Sequence, residues 1–85
     1  MVDVTETVIA RGRLSNVALR YVVFEASPID TDDTVTVGEL SAVTAAAAFR
    51  LDTGAKLTTT EATNIVTITT AALTDVPIVG IATGY

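Results

Sequence analysis

The stretch AVTAAAAFRL, Ala42 to Leu51, sets the alanine run Ala45–Ala48 in a chain otherwise rich in Val and Thr. The secondary structure those alanines adopt decides the fold class. Alanine is the best helix former, and a helix from Ser41 aligns Leu40, Val43, Ala47 and Leu51 on one stripe. That helix strands Phe49 on its far side and turns Arg50 toward the apolar stripe. A strand separates the residues better. Val43, Ala45, Ala47, Phe49 and Leu51 fill one face, and Ala42, Thr44, Ala46, Ala48 and Arg50 fill the other. The strand is the preferred reading, and a short helix near residues 40–51, giving an α+β fold, is the alternative.

The flanking sequence supports the strand. VTVGEL and NIVTITT alternate β-branched residues with period two: Val35 and Val37 share one face, as do Val66 and Ile68. VALRYVVFEA (17–26) is apolar on nearly both faces, which suits a central strand covered on both sides. Turn residues separate these runs. Ser27-Pro28 with Asp30–Asp33 reads as a loop, Asp52-Thr53-Gly54-Ala55 as a hairpin turn, and Thr63-Asn64 as a second turn with Asn in the left-handed region. Strands are expected near 5–14, 17–26, 34–37, 42–51, 56–61, 64–70 and 77–83. About seven short strands imply an all-β fold, a small antiparallel β-sandwich or barrel. The 85 residues form a single domain, 1–85.

Composition narrows the function. Hydrophobic residues make up 49% of the chain, so a body this small carries apolar surface beyond what its core consumes, and such surface marks docking or self-assembly. Ten acidic residues face five basic ones, for a net charge of −5. That balance disfavours nucleic acid, which needs a positive face, and an anionic membrane. No stretch approaches the roughly 18 apolar residues of a membrane helix. MVDVTETVIA lacks the basic and apolar regions of a signal peptide.

The chain has no His and no Cys. Most nucleophile–base pairs and transition-metal sites need one or the other, so an enzyme is not expected, and neither is a cofactor. Lys56 follows an exposed hairpin turn, and Ser15, Ser27 and Ser41 sit at turns or strand ends, a poor setting for a Ser–Lys dyad. The weak metal candidate is Asp30, Asp32 and Asp33, whose carboxylates suit Ca²⁺ but lack the glycine and distant Glu of a complete calcium loop. Arg11 and Arg13 flank Gly12 on the face opposite Val8 and Ala10. They are interface candidates, together with Ala42, Thr44, Ala46, Ala48 and Arg50. The small residues among them make an outer face smooth enough for close approach by a second subunit. On this reading Ala46→Arg or Ala48→Arg disrupts assembly and leaves the monomer folded.

DTVTVGEL (33–40), LDTGAKLT (51–58) and NIVTITTAALTDVPIVGIATGY (64–85) together resemble small β-rich structural proteins of tailed bacterial and archaeal viruses, the head-decoration or cement proteins. The resemblance covers roughly residues 33–85 and lies in an alternating Thr/Val strand, a turn, and a final T-x-V-P-I-x-G strand. It implies a non-catalytic virion protein, made in the host cytoplasm, that binds the major capsid protein or another virion protein and stabilises the capsid surface as a homo-oligomer, commonly a trimer. By the same resemblance Met1–Thr7 is a docking arm, able to add a strand to a neighbouring sheet; it reads equally well as the domain's own first strand. Rival readings are a tail-tube, spike or fibre module, and an adhesion or carbohydrate-binding module. Scarce aromatic residues argue against the sugar-binding version.

Overall fold

A computed structural model describes residues 2–13 and 19–85. Met1 and the expected strand ends at Leu14 and Val17, with the Ser15 turn between them, lie outside the described residues. The described chain forms eight strands: β1 (Thr7–Arg13), β2 (Arg20–Ile29), β3 (Thr34–Thr36), β4 (Val43–Arg50), β5 (Lys56–Leu57), β6 (Thr59–Ala62), β7 (Ile65–Ile68) and β8 (Val76–Gly84). The alanine run is strand β4, so the helix alternative at 40–51 does not hold.

The strands build two antiparallel sheets packed as a sandwich. One has the order β1-β2-β8-β4-β5 and the other β3-β7-β6. Their facing sides make one core. Val22, Phe24, Ala48, Ile78 and Ala82 come from the larger sheet, Val35, Val66 and Ile68 from the smaller, and Val37 from just past the end of β3. Burying each of the larger aliphatic or aromatic side chains contributes about 1.5–3 kcal/mol. The pairings expected for Val35 with Val37 and for Val66 with Ile68 are borne out, since all four are fully buried.

Two expected elements change. The strand expected over 56–61 splits at Thr58. Leu57 pairs with Ala48 in the larger sheet, and Thr59 pairs with Ile68 in the smaller. Thr58 is held at the crossing point by Thr69 and Thr70: its N–H donates to Thr70 Oγ1 at 2.7 Å, and its carbonyl accepts from the Thr69 N–H at 2.9 Å. β2 also runs on through Ser27-Pro28 to Ile29, where a loop was expected. A register shift between Ala26 and Ile29 absorbs the proline, which has no N–H to give the ladder.

The N-terminal segment closes an edge of its own domain. Asp3 bridges Thr34 in parallel; the Val4 N–H donates to the Thr34 carbonyl at 2.7 Å, and the Thr34 N–H to the Val2 carbonyl at 2.8 Å. Asp33, only 4% exposed, anchors this pairing by accepting the Val2 and Asp30 N–H groups at 2.9 Å each.

Candidate functional site

Directly opposed residues of an antiparallel pair share a face, so register assigns each side chain of the larger sheet. Val8, Phe24, Gly80, Ala48 and Leu57 form one inward row across all its strands. The adjacent rows must then face outward. One runs Ala10, Val23, Ile81, Ala47; the next runs Glu25, Val79, Phe49, Lys56. These outward rows are apolar at their centre and charged only at Glu25 and Lys56. Among the described residues the expectation that β2 is covered on both sides therefore fails. Its inner residues are buried, but no second layer of the described chain lies over Val23 on its outer side.

This outer surface corrects the expected face of β4. Ala46 packs against the core and Ala48 is fully buried, while Phe49 is 38% exposed and Leu51 and Ala45 are also exposed. The cause is a bulge between Val43 and Ala45, where β4 spends one more residue than β8. One extra residue moves every following side chain to the opposite face. Val43 still packs inward, as expected, but downstream of it the inward residues are Ala46 and Ala48. Ala46, Ala48 and Arg50, the last opposite the buried Ile78, are accordingly withdrawn from the outer interface set, and Ala45, Ala47 and Phe49 take their place. Thr44 sits at the bulge, exposed, with its hydroxyl donating to the Thr83 carbonyl at 3.1 Å. Ala42 is half-buried, and its carbonyl accepts the Tyr85 N–H at 2.9 Å.

Short side chains keep the outer face low. Ala45, Ala47, Ile81 and Thr83 line a shallow depression of about 200 Å³ there. Ile81 is 41% exposed at its centre. The sequence signal for this face lies in VPIVGIATG, which is apolar on both rows although a two-layer sandwich has only one interior.

A second bulge corrects the arginines. β1 shifts register between Val8 and Ala10, leaving Ile9 as the extra residue. Arg11 is opposite Val22 and Val8 is opposite Phe24, both on the inward side. Arg11 therefore shares a side with Val8 and opposes Ala10 alone. Arg11 bonds Glu39 through its guanidinium at 2.5 Å, and Arg20 Nη2 donates to the Glu39 carbonyl at 2.7 Å. Gly12 is on the outer side, where the Tyr21 ring lies so close that a Cβ would fall 2.8 Å from it. Arg13 lies opposite Arg20. Arg50, at the other end of β4, forks onto Asp52 with two bonds of 3.0 Å. The bond from Arg50 holds the Asp52 carboxyl below its ordinary value, and the bond to Asp52 raises Arg50 in turn.

The carboxylates proposed for calcium do not converge. Asp33 turns inward onto the Val2 and Asp30 N–H groups, Asp30 Oδ1 accepts the Asp75 N–H at 2.7 Å, and Asp32 is exposed with a φ of 68°. Among the described residues no three acidic side chains are grouped to hold a metal. Turn formation accounts for the hydrogen bonds that Asp30 and Asp33 make.

Compared with family models, with curated proteins and with solved structures, the chain matches none significantly.

Proposed function

We propose that this chain is a non-catalytic structural protein that assembles as a homo-oligomer and stabilises a larger shell, in the setting its resemblance implies: decoration of a viral capsid. The observation that carries this reading is the outer face of the larger sheet. Val23, Val79, Phe49, Ala47 and Ile81 form a continuous apolar surface bounded by Glu25 and Lys56, the apolar-centre, polar-rim layout of protein interfaces. Its occupant is a second copy of the chain. Low side chains such as Ala45 and Ala47 let another sheet approach to the roughly 10 Å spacing of packed sheets. Assembly would then present several weak capsid contacts at once, which multiplies their effect.

The test is native mass, read at about 0.5 M salt where contacts between exposed charges are screened, together with rebinding to stripped capsids. The unmodified chain is expected to run as a discrete oligomer and to rebind. Ile81→Lys is expected to keep its β-sheet circular dichroism and to lose both. An open-ended polymer would instead place the chain among tube or fibre subunits. A monomer that binds immobilised glycans would overturn the reading.

A further inference from the structure

The end of the sandwich near Arg20 carries a charge arrangement that weakens the isolated fold. Arg13 and Arg20 are direct cross-strand partners, and like charges in that relation are destabilising. Arg11 lies on the same side two residues from Arg13. A cleft of about 210 Å³ there is lined by Arg11, Arg13, Arg20, Tyr21, Glu39 and Leu40. Among the described residues Glu39 is the one acidic residue lining it, and its salt bridge is with Arg11. The connection from β1 to β2, LSNVAL, contains no acidic residue. Three of the chain's five basic residues thus share one cleft in a protein that is acidic overall. Arginine forks fit carboxylates in bidentate fashion, so the cleft has the chemistry of a carboxylate receptor.

The matching carboxylates lie at the other end of the same strands. β2 begins at Arg20, paired with Gly84, and finishes at Ile29, paired with Val76. Asp30 follows one of those last residues and Asp75 precedes the other. Asp32 and Asp75 are exposed, and among the described residues neither forms a salt bridge. Arg50, the basic residue nearest that end of β4, is already forked onto Asp52. The ten residues of β2, at roughly 3.3 Å each, account for most of the molecule's 39 Å length. The sandwich is therefore positive at one tip and negative at the other.

We infer that copies of the chain associate head to tail, with the arginine cleft of one receiving the Asp32/Asp75 tip of the next. Such a contact is heterologous. It closes into a ring when its rotation permits and extends into a filament when it does not. It uses neither the apolar face nor a capsid, so it stands or falls separately from the proposed function.

The experiment uses the full chain carrying Ile81→Lys, which removes association through the apolar face, and reads mass by sedimentation. At about 0.02 M salt this protein is expected to associate, and at about 0.5 M to dissociate, because screening at that concentration shortens the reach of exposed charges to a few ångströms. Arg13→Glu/Arg20→Glu removes the receptor. Asp32→Asn/Asp75→Asn removes the tip charge with a residue that tolerates the left-handed backbone of both positions (φ 68° and 49°). Each variant alone is expected to bind itself at least about tenfold more weakly, a loss of about 1.4 kcal/mol. Mixed in equal amounts they are expected to form a 1:1 dimer and nothing larger, because each retains the half the other lost. A monomer at low salt before either pair of changes would overturn the inference. So would undiminished association in either variant, or a mixture that forms no dimer.

Discussion

The ring of Phe24 lies over its cross-strand partner Gly80, so close that a Cβ at Gly80 would fall 2.5 Å from it. Phe24 is fully buried in the middle of the larger sheet's inner face. The glycine is there because the ring occupies the space a side chain would need. Gly80→Ala is expected to cost about 1–3 kcal/mol through overpacking, read as a lower denaturant midpoint with an unchanged slope. Phe24→Leu alone is destabilising too, but adding Gly80→Ala to it should cost less than in the parent, since the smaller side chain vacates the space. Strictly additive effects would show that the ring does not dictate the glycine.

Neighbouring alanines on β4 should respond in opposite ways to the same substitution. Ala48 is fully buried between Gly80 and Leu57, whereas Ala47 faces outward beside Ile81. Ala48→Arg places an unpaired charge in the core, and a loss beyond about 4 kcal/mol is expected. Ala47→Arg should shift stability by no more than about 0.5 kcal/mol and should reduce native mass. A folded Ala48→Arg with an unfolded Ala47→Arg would restore the partition given by strict alternation.

That partition shows how far the sequence can be read. Strand identity was legible, because period two and β-branched residues are local properties. So were the Val35/Val37 and Val66/Ile68 faces, since neither β3 nor β7 contains a bulge. The faces of β1 and β4 were not, because one extra residue at Ile9 and one near Thr44 invert the count beyond them. The β4 bulge sits among partners distant in sequence. The Val43 N–H donates to the Thr63 carbonyl, and Ala42 and Tyr85 bond each other. A Cβ on Gly84 would land on the Ala42 carbonyl, so that approach requires glycine. The apolar outer face was foreshadowed by composition alone. Its residues emerged only from the register.

The turn between β6 and β7 holds a residue unsuited to its backbone. Thr63 has a φ of 53°, where the left-handed region had been expected at Asn64. A β-branched residue is a genuine outlier there. In a two-residue hairpin loop with positive φ at the first position, glycine is the favoured occupant. The Thr63 carbonyl must keep its bond from the Val43 N–H at 2.7 Å, and glycine supplies the same carbonyl. Thr63→Gly is expected to raise stability by about 1 kcal/mol, the cost of left-handed backbone for a side-chain-bearing residue, less glycine's added freedom in the unfolded chain. A lowered melting temperature would count against strain at this turn.

Asp33 offers the sharpest test of how the N-terminal segment is held. Val2 is largely exposed, so apolar burial contributes little at the segment's first described residue. Besides the Thr34 N–H on its carbonyl, what fixes it there is the Asp33 carboxylate, with Oδ1 on the Val2 N–H and Oδ2 on the Asp30 N–H. Hydrogen bonds to a charged group are worth about 1.5–3 kcal/mol each, and Asp33→Ala removes both while adding no bulk. The global loss is expected to be about 1–3 kcal/mol, because the Val2 N–H can turn to water once released whereas the Asp30 turn loses its brace. Amide exchange separates the two effects. The Val4 and Thr34 amides, which pair across this edge, should exchange much faster than the global loss requires. Amides of β8 at the centre of the larger sheet should slow or quicken only in step with global stability. Uniform acceleration across both groups would mean that the segment and the sandwich open as one unit, and that Asp33 does not hold the edge strand separately.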